Sequence, residues 1–345
     1  MKAAIKSIEC ELGAGSLTHA ELCARFGEER MEKIARLSGI RNRRVVSGGV
    51  CASDLAFAAA ERLFERSAVG KGDVDLLIMA TQSPDYLMPT TACILQDRLG
   101  LPKSCAAFDV NLGCSQYVYG LAVANAWIAS GMAKNALLLA GDTPTRVIHP
   151  LDRSAVSLFG DGACATLVSA SESGGMSAFD FGTDGAGFED LIIPASGFRR
   201  PPAAADSEEF EDADGNIRTN SHMRVDGIKI FSFAYRVLPR SVNSLLEKSG
   251  LGVGDIDLFV FHQAGEKIIR RAAERIGIPD SKLCFCLSEI GNCGGSSVGV
   301  ALADAAGRGR LRPGMRVVLS AFGVGLSWGS VLLEWSADFA GPGAG

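Results

Sequence analysis

The chain has 345 residues, of which 47% are apolar and 21% are charged, and it contains 41 glycines. This balance is typical of a globular α/β protein with many tight turns and excludes extensive disorder. The formal net charge of −5 excludes a general nucleic-acid binder, because neutralising phosphate groups requires a strongly basic surface. The sequence shows neither the ~20 apolar residues of a membrane span nor an export signal, so we expect a cytoplasmic protein without membrane insertion.

The ten cysteines lack the regular spacing of a disulfide framework. In a cytoplasmic protein they are expected to be reduced thiols. Cys284, Cys286 and Cys293 lie close together in sequence, but they lack the paired C-x-x-C spacing of structural zinc sites. We therefore expect neither a metal nor a bound cofactor.

Taken in chain order, the elements of the first half recur in the second. "VDLLIMATQS" and "IDLFVFHQAG" are typical of buried strands that end in polar residues, and "SQYVYGLAVANA" and "SSVGVALADA" of helices with small residues on one face. "NALLLAGD" and "RVVLSAFG" follow as strands. The order predicts a duplicated α/β fold with a parallel-rich sheet in each half, residues 1–172 and 173–345. Cys114 and Cys293 then occupy matching places near the carboxyl ends of strands, where sites gather in α/β sheets.

The second half carries an insertion. Residues 199–216 are rich in proline and then acidic, which predicts an exposed loop. A long helix should follow in "IKIFSFAYRVLPRSVNSLLEKSG" and end at Gly250, with an adjustment around Pro239.

Cys114 stands where a strand gives way to a helix. It follows the strand "AAFDV" and the turn "NLG", and it begins a predicted helix of 18 residues, "CSQYVYGLAVANAWIASG". A free cysteine is most often a small buried core residue. A thiol at a helix start, however, lies at the positive end of the helix dipole, which favours the thiolate and lowers the thiol pKa. This context favours a nucleophile.

The acid–base partner of such a thiol has few candidates. Of the four histidines, His19, His149 and His222 lie in polar or loop-like contexts, and we expect them at the surface. The apolar strand "IDLFVF" delivers His262 to a strand end, although a structural core histidine fits that context too. Asn292 lies in a glycine-rich turn before a helix, where asparagine is often only a turn former. Together with Cys114, His262 and Asn292 form a set with coherent catalytic roles.

At these residues the chain resembles the β-ketoacyl-acyl-carrier-protein synthase III branch of the thiolase-like condensing enzymes. The resemblance runs through "GIRNRRVV", "PTTACILQDRLGL", "AFDVNLGCSQYVYGL", "LFGDGACATLV", "FHQAGEKII", "GNCGGSS" and "FGVGLSWGS" in family order. It implies a thiolase-like fold, a duplicated five-layer αβαβα architecture with two mixed sheets, and a homodimer.

The resemblance also implies the chemistry. Cys114 would take an acyl group from an acyl-CoA or acyl-carrier thioester, with the backbone N–H groups of Cys114 and Val324 as oxyanion donors. His262 and Asn292 would bind the thioester carbonyl of malonyl-acyl carrier protein and stabilise the enolate formed as carbon dioxide leaves. The expected reaction is a decarboxylating Claisen condensation that gives a β-ketoacyl-carrier, in fatty-acid-type or specialised lipid or polyketide-like biosynthesis.

Several positions match or depart from the family pattern around the substrates. By resemblance, Met88 reaches into the partner subunit's acyl tunnel, Leu112 helps to shape the tunnel, and Arg153 packs on the CoA adenine. Gly265, in "HQAG", replaces an asparagine that helps the pantetheine site. Lys33 stands where the family carries an adenine-stacking tryptophan, and Leu37 where it often has a basic residue. A CoA donor is therefore in question.

The helix after His262 is basic. An acidic carrier protein would need such a patch on an otherwise acidic surface, although a run of charges is usually only a solvated face. The predicted carrier patch comprises Lys267, Arg270, Arg271 and Arg275.

Three other functions remain open at this point. Acyl transfer from Cys114 to an oxygen or nitrogen nucleophile would not need malonyl decarboxylation, so Asn292 favours condensation. A partner subunit that stabilises an active relative would not need the intact set of Cys114, His262 and Asn292. A thiolase uses a second cysteine as base, and Cys293 lies beside Asn292.

Overall fold

A computed structural model describes residues 2–336 and 339 of the chain. The strands at Leu76–Ala80, Asn135–Asp142 and Leu258–Phe261 coincide with apolar runs in the sequence, since they are buried on both faces. The strands in the described part are β1 (Lys2–Leu12), β2 (Gly15–Leu17), β3 (Arg43–Val45), β4 (Leu76–Ala80), β5 (Ala106–Val110), β6 (Asn135–Asp142), β7 (Gly162–Ser171), β8 (Gly175–Thr183), β9 (Leu191–Ile192), β10 (Phe210–Glu211), β11 (Ile217–Arg218), β12 (Arg224–Val225), β13 (Leu258–Phe261), β14 (Arg316–Gly323) and β15 (Ser327–Glu334).

The helices alternate with the strands of the two large sheets. In the same part of the chain they are α1 (His19–Phe26), α2 (Glu28–Ser38), α3 (Ala52–Arg66), α4 (Thr91–Arg98), α5 (Gln116–Ala129), α6 (Arg153–Val156), α7 (Gly227–Ser249), α8 (Glu266–Ile276), α9 (Leu287–Ile290) and α10 (Ser297–Gly307). None of these helices is long and apolar enough to cross a bilayer.

Two mixed sheets form the frame. The first has the order β1-β7-β6-β4-β5, with β4 parallel to β5 and β6, and β7 antiparallel to β6 and β1. The second has the order β13-β14-β15-β8, with β13 parallel to β14 and the remaining pairs antiparallel. The strands of the first sheet all precede those of the second in the chain, as the predicted duplication requires. The expected predominance of parallel pairs is wrong, because the first sheet has two parallel and two antiparallel pairs and the second has one parallel and two antiparallel pairs.

Helices cover both sheets and fill the space between them. One hydrophobic cluster joins α5 and α10 to inward-facing residues of both sheets, such as Leu138 and Leu319. A second cluster packs α7 and α8 on the outer face of the second sheet, and a third packs α3 and α4 on the outer face of the first. These layers confirm the predicted five-layer αβαβα fold.

The two central helices approach their neighbours closely, which explains their small residues. A Cβ added at Gly120 of α5 would lie 2.5 Å from Leu138 Cδ1, and one at Gly299 of α10 would lie 2.2 Å from Cys164 Sγ. Each of these helices is preceded by a 3₁₀ turn, at Gly113–Ser115 and Gly294–Ser296. The duplication therefore extends to the turns that enter the central layer.

The predicted long helix and inserted loop are also present. α7 runs through Pro239 and ends at Gly250, whose φ of +65° is the left-handed conformation that glycine favours at a helix end. Residues 199–216 contain only short pieces of secondary structure and are mostly exposed.

Candidate functional site

Cys114 lies where β5 connects to α5, at the centre of the molecule. It belongs to the 3₁₀ turn Gly113–Ser115, and α5 starts two residues later and has 14 residues, so the predicted 18-residue helix was too long. Gly113 has a φ of +68°, and a Cβ there would lie 1.9 Å from Val324 Cγ1. Only glycine therefore allows this turn to contact Val324, which directly follows β14.

That segment, Gly323–Val324, supplies the surroundings of the sulfur. The backbone N–H groups of Val324 and Cys114 lie beside the Cys114 thiol, where their dipoles favour the thiolate and lower its pKa. A Cβ added at Gly323 would lie 2.4 Å from Cys114 Sγ, so a glycine is needed for this approach. The structure thus places around one sulfur both backbone donors that the sequence analysis named.

The resting state of the thiol differs from our expectation. Burial, with a smaller contribution from the nearby charge of Asp142, raises the pKa of Cys114 to about 12 against the lowering effect of the two N–H groups. The predicted lowering by a helix start is wrong, because only 7% of Cys114 is exposed and desolvation of a thiolate outweighs the favourable backbone dipoles. Cys114 is a neutral thiol at rest.

His262 follows β13 and is buried beside the Cys114 region. Its ring packs edge-on against Phe322, with centroids 5.6 Å apart, and Phe322 precedes Gly323. Nδ1 lies 2.6 Å from Ser297 Oγ, which also accepts a 3.2 Å hydrogen bond from the Gln263 N–H. The Ser297 hydroxyl can donate its proton to Nδ1, and in that arrangement Nε2 carries the proton of the neutral ring.

The same burial settles the charge of this histidine. It lowers the pKa of His262 to about 4, so the imidazole is neutral at physiological pH. A neutral ring with a proton on Nε2 is a hydrogen-bond donor that carries no full charge into the buried site.

Asn292 precedes the turn Gly294–Ser296, which packs against the turn of Cys114. Its backbone is fixed by hydrogen bonds to Leu158 and Gly160, of 2.9 and 3.0 Å. Its side-chain Oδ1 accepts the Gly294 N–H at 3.0 Å. Because Oδ1 is held in this way, the amide nitrogen is directed to the opposite side as a donor.

The sequence analysis missed two polar residues here. Ser297 orients His262, and Asp142, at the end of β6, lies beneath the turns of Cys114 and Asn292. The run "LLLAGD" indicated only a strand that ends in a polar residue. The signal that could have identified Asp142 is a carboxylate at the carboxyl end of a buried apolar strand.

A cavity of about 510 Å³ leads to Cys114. Its inner wall includes Asp142, Gly295 and Val324, and the remainder is mainly apolar. The apolar side chains that line it include Leu87, Val147, Phe159, Leu191, Ile193 and Met223. The cavity can therefore hold an apolar chain whose end reaches the sulfur.

The predicted substrate contacts lie outside this cavity wall. Met88 is 85% exposed beside the lining residue Leu87, and Leu112 precedes the Cys114 turn. Arg153 begins α6 and donates to the Asp214 carbonyl at 2.8 Å. Gly265 precedes α8, where an added Cβ would lie 3.7 Å from Ser38, in ordinary contact. Their roles stay predictions.

The basic helix α8 is partly neutralised. Arg270 forms ion pairs with Glu266 at 2.7 Å and with Asp280 at 2.5 Å, and Arg271 pairs with Glu274 at 3.0 Å. Arg275 donates to a backbone carbonyl of α7, whereas Lys267 is exposed. The four basic residues reach the surface, but their positive potential is weaker than their number indicates, and their role as a carrier patch stays a prediction.

The expectation of three surface histidines is wrong for His149. This residue is buried, its Nε2 lies 3.1 Å from Glu209, and its ring packs edge-on against His222, with centroids 5.1 Å apart. Burial and the neighbouring His149 lower the pKa of His222. The sequence could not reveal this pair, because the two residues come together only when residues 219–223 fold against the segment before α6.

The cysteines form no disulfide among the residues described, and Cys284, Cys286 and Cys293 are all free thiols. Within residues 2–336 and 339, no group of three or more histidine, cysteine or acidic side chains has a geometry that could hold a metal. Cys293 is fully buried, and a Cβ added at Gly162 would lie 3.3 Å from its sulfur.

The close approach at Gly323 makes a testable prediction. Gly323→Ala places a methyl group 2.4 Å from Cys114 Sγ, so it should lower the free energy of unfolding by about 1–3 kcal/mol through overpacking. Gly72→Ala is the matched control, because an added Cβ there has no heavy atom within 4 Å. Denaturant unfolding of both variants measures the effect. Equal stabilities would show that the turns do not meet as closely as described.

Comparisons with known proteins agree with this geometry. Residues 108–185 match the family 3-oxoacyl-[acyl-carrier-protein] synthase III, and residues 246–335 match its C-terminal family. A β-ketoacyl-[acyl-carrier-protein] synthase III of Desulfitobacterium hafniense is 35% identical over 94% of this chain and 97% of its own. One of Streptomyces coelicolor is 37% identical over 93% of each.

Solved structures are similar throughout. A 3-oxoacyl-(acyl-carrier-protein) synthase III crystal structure superposes with a TM-score of 0.94, at 41% identity over 97% of this chain and 100% of its own. A 3-oxoacyl-(acyl-carrier protein) synthase of Burkholderia xenovorans superposes with a TM-score of 0.90, at 30% identity over 99% of this chain and 96% of its own. With the shared fold and this extent of identity, the chain belongs to the β-ketoacyl-acyl-carrier-protein synthase III family.

Proposed function

We propose that this protein catalyses the decarboxylating Claisen condensation of an acyl thioester with malonyl-acyl carrier protein, through an acyl-cysteine on Cys114. The observation that carries this function is a buried thiol facing two backbone N–H donors, beside a neutral His262. Thioester exchange needs a sulfur nucleophile and donors for the oxyanion, and this site offers both.

In the first half-reaction, the Cys114 sulfur bonds to the carbonyl carbon of an acyl-CoA or acyl-carrier thioester. The developing oxyanion accepts hydrogen bonds from the N–H groups of Cys114 and Val324. Collapse breaks the bond to the carrier sulfur, which leaves as a thiol with the proton that Cys114 gave up. The apolar cavity holds the acyl chain.

In the second half-reaction, the malonyl thioester loses carbon dioxide, and the electrons of the broken C–C bond form an enolate. The enolate oxygen accepts hydrogen bonds from His262 Nε2 and the Asn292 amide. Its carbon attacks the acyl-cysteine carbonyl, the oxyanion returns to the Cys114 and Val324 donors, and collapse releases the β-ketoacyl-carrier. The Cys114 thiolate then takes one proton from solvent.

Two alternatives fit the site less well. A thiolase-like base at Cys293 would need a thiolate, but burial raises the pKa of Cys293 far above its usual range, and its sulfur faces Gly162. Acyl transfer to an oxygen or nitrogen nucleophile has no use for the amide of Asn292, which the Gly294 N–H holds in a fixed orientation.

The rate of malonyl decarboxylation distinguishes condensation from these alternative functions. His262→Ala and Asn292→Ala should each slow carbon dioxide release from malonyl-acyl carrier protein about 100- to 1000-fold, because each removes a donor to the enolate oxygen. His19→Ala, a histidine paired with Glu32 far from the site in sequence, is the control. Parental rates of release in both site variants would exclude the condensing mechanism.

A homodimer is part of the proposed function. β5 is an edge strand, paired only with β4 among the residues described, and all five of its residues are half-buried in the single chain. Tyr86, Leu87 and Met88 are also exposed, at 63, 80 and 85%. An open edge with apolar neighbours is suited to pairing with a second copy. In that dimer Met88 would reach the partner's acyl tunnel.

The acyl donor is expected to be a carrier protein at least as readily as CoA. Lys33, Leu37 and Gly265 lack groups that the family uses for the CoA nucleotide and pantetheine, whereas Arg153 remains. Acidic carriers would be attracted to α8, where Lys267, Arg271 and Arg275 are exposed cations. Arg270 contributes less, since Glu266 and Asp280 pair with it.

Charge reversal on α8 tests this docking. Arg271→Glu should slow single-turnover acylation of Cys114 by an acyl-carrier more than by the acyl-CoA of the same chain, and added salt should reduce the difference. Arg98→Glu, which breaks a comparable surface ion pair with Asp54, is the control. Equal slowing by both donors, or equal effects of the two variants, would refute docking at α8.

A further inference from the structure

The buried carboxylate of Asp142 connects four segments beneath the reactive thiol. Oδ1 accepts the Gln82 N–H at 2.8 Å and the Thr81 hydroxyl at 3.4 Å. Oδ2 accepts the Gly295 N–H at 2.7 Å and Gln116 Nε2 at 3.1 Å. All four donors are neutral, so hydrogen bonds to these neutral groups stabilise the negative charge of the Asp142 carboxylate.

One of these bonds holds the turn that follows Asn292. Oδ1 of Asn292 accepts the N–H of Gly294, and Oδ2 of Asp142 accepts the N–H of the next residue, Gly295. Gly294 has a φ of +59°, and an added Cβ would lie 2.9 Å from Asp142 Oδ2. The turn is therefore shaped to let the carboxylate reach it, and its position decides where the Asn292 amide points.

We propose that Asp142 is a positioning residue for the condensation: its carboxylate anchors the Gly294–Ser296 turn, and with it Asn292, in the reactive geometry. This inference rests on the proposed function for its effect on catalysis. Its anchoring role concerns a contact of the resting protein and does not depend on the substrate.

The ionised form is needed for this anchor. Burial raises the pKa of Asp142 to about 6. A proton on Oδ2 would point an O–H at the Gly295 N–H and at the Gln116 amide hydrogens, which are donors themselves. Protonation therefore weakens the hold on the turn, and the anchor is lost as the pH falls through about 6.

The other titratable groups near the carboxylate are two thiols, one histidine and the carboxyl of Asp161, whose neighbour Gly162 pairs with Asp142 between β6 and β7. The thiols of Cys114 and Cys293 feel the charge of Asp142, and both are neutral because their pKa values are raised. His262 stays neutral down to a pH of about 4. Burial also raises the pKa of Asp161, so an acid limb near pH 6 in the malonyl half-reaction is assigned to Asp142 by its loss in Asp142→Asn.

The test compares the native protein with Asp142→Asn. Carbon dioxide release from malonyl-acyl carrier protein by the native protein should fall below about pH 6, whereas the variant should be about 10- to 100-fold slower and show no such limb. The native profile needs no variant, so the inference stays testable if Asp142→Asn folds poorly. A native profile that is flat through pH 6 would overturn the proposal.

A second readout separates a lost charge from a general structural defect. Removing the charge of Asp142 should shift the pH dependence of Cys114 alkylation by iodoacetamide to lower pH, because the carboxylate disfavours the thiolate. Asp180→Asn is the control: it removes another buried carboxylate, bonded to Ser241 and Lys248, and should leave that profile unchanged. An unshifted profile in folded Asp142→Asn, or an equal shift in the control, refutes the inference.

The two readouts also distinguish this inference from the proposed function. If the native protein released no carbon dioxide at all, the condensing function would be wrong, yet the alkylation profile would still report the contact between Asp142 and the thiol site. If the native protein were active and Asp142→Asn equally so, only the positioning role would be wrong.

Discussion

The site depends on the close approach of two turns, one from each half of the chain. Gly113–Ser115 carries the thiol, and Gly323–Val324 lies so near to it that neither glycine could carry a side chain. This contact buries the sulfur and aims the Val324 N–H at it. The layered fold holds the contact in place, because α5, which packs between the sheets, has the thiol turn at its start, and β14 of the second sheet ends at Gly323.

Burial then sets the protonation states. Desolvation keeps Cys114 a thiol and His262 a neutral imidazole, so the resting site contains neither a thiolate nor an imidazolium. On the reacting groups, charge develops when a thioester carbonyl becomes an oxyanion or an enolate, and oriented donors are already present for both. Stabilisation of charge in the transition state, rather than a reactive ground state, is the catalytic strategy that this arrangement supports.

Much of this could be predicted from the sequence. The repeated order of strands and helices predicted a duplicated α/β fold, the resemblance to the condensing enzymes implied its five layers, and the strand–turn–helix context singled out Cys114. The thiol pKa could not be predicted, because it depends on how completely Val324 and its neighbours exclude water. The burial of His149 was missed because its partners lie far away in sequence. The weakness of the basic patch was missed because Asp280, beyond α8, pairs with Arg270.

The central claim is that Cys114 carries the acyl group, and mass spectrometry tests it most directly. After incubation with an acyl-CoA or acyl-carrier thioester, the intact protein should gain the mass of one acyl group, and peptide mapping should place it on Cys114. Cys114→Ala should gain none, whereas a variant of the exposed Cys93 should be acylated normally. An adduct that persists in Cys114→Ala, or one that maps to Cys293, would contradict the account.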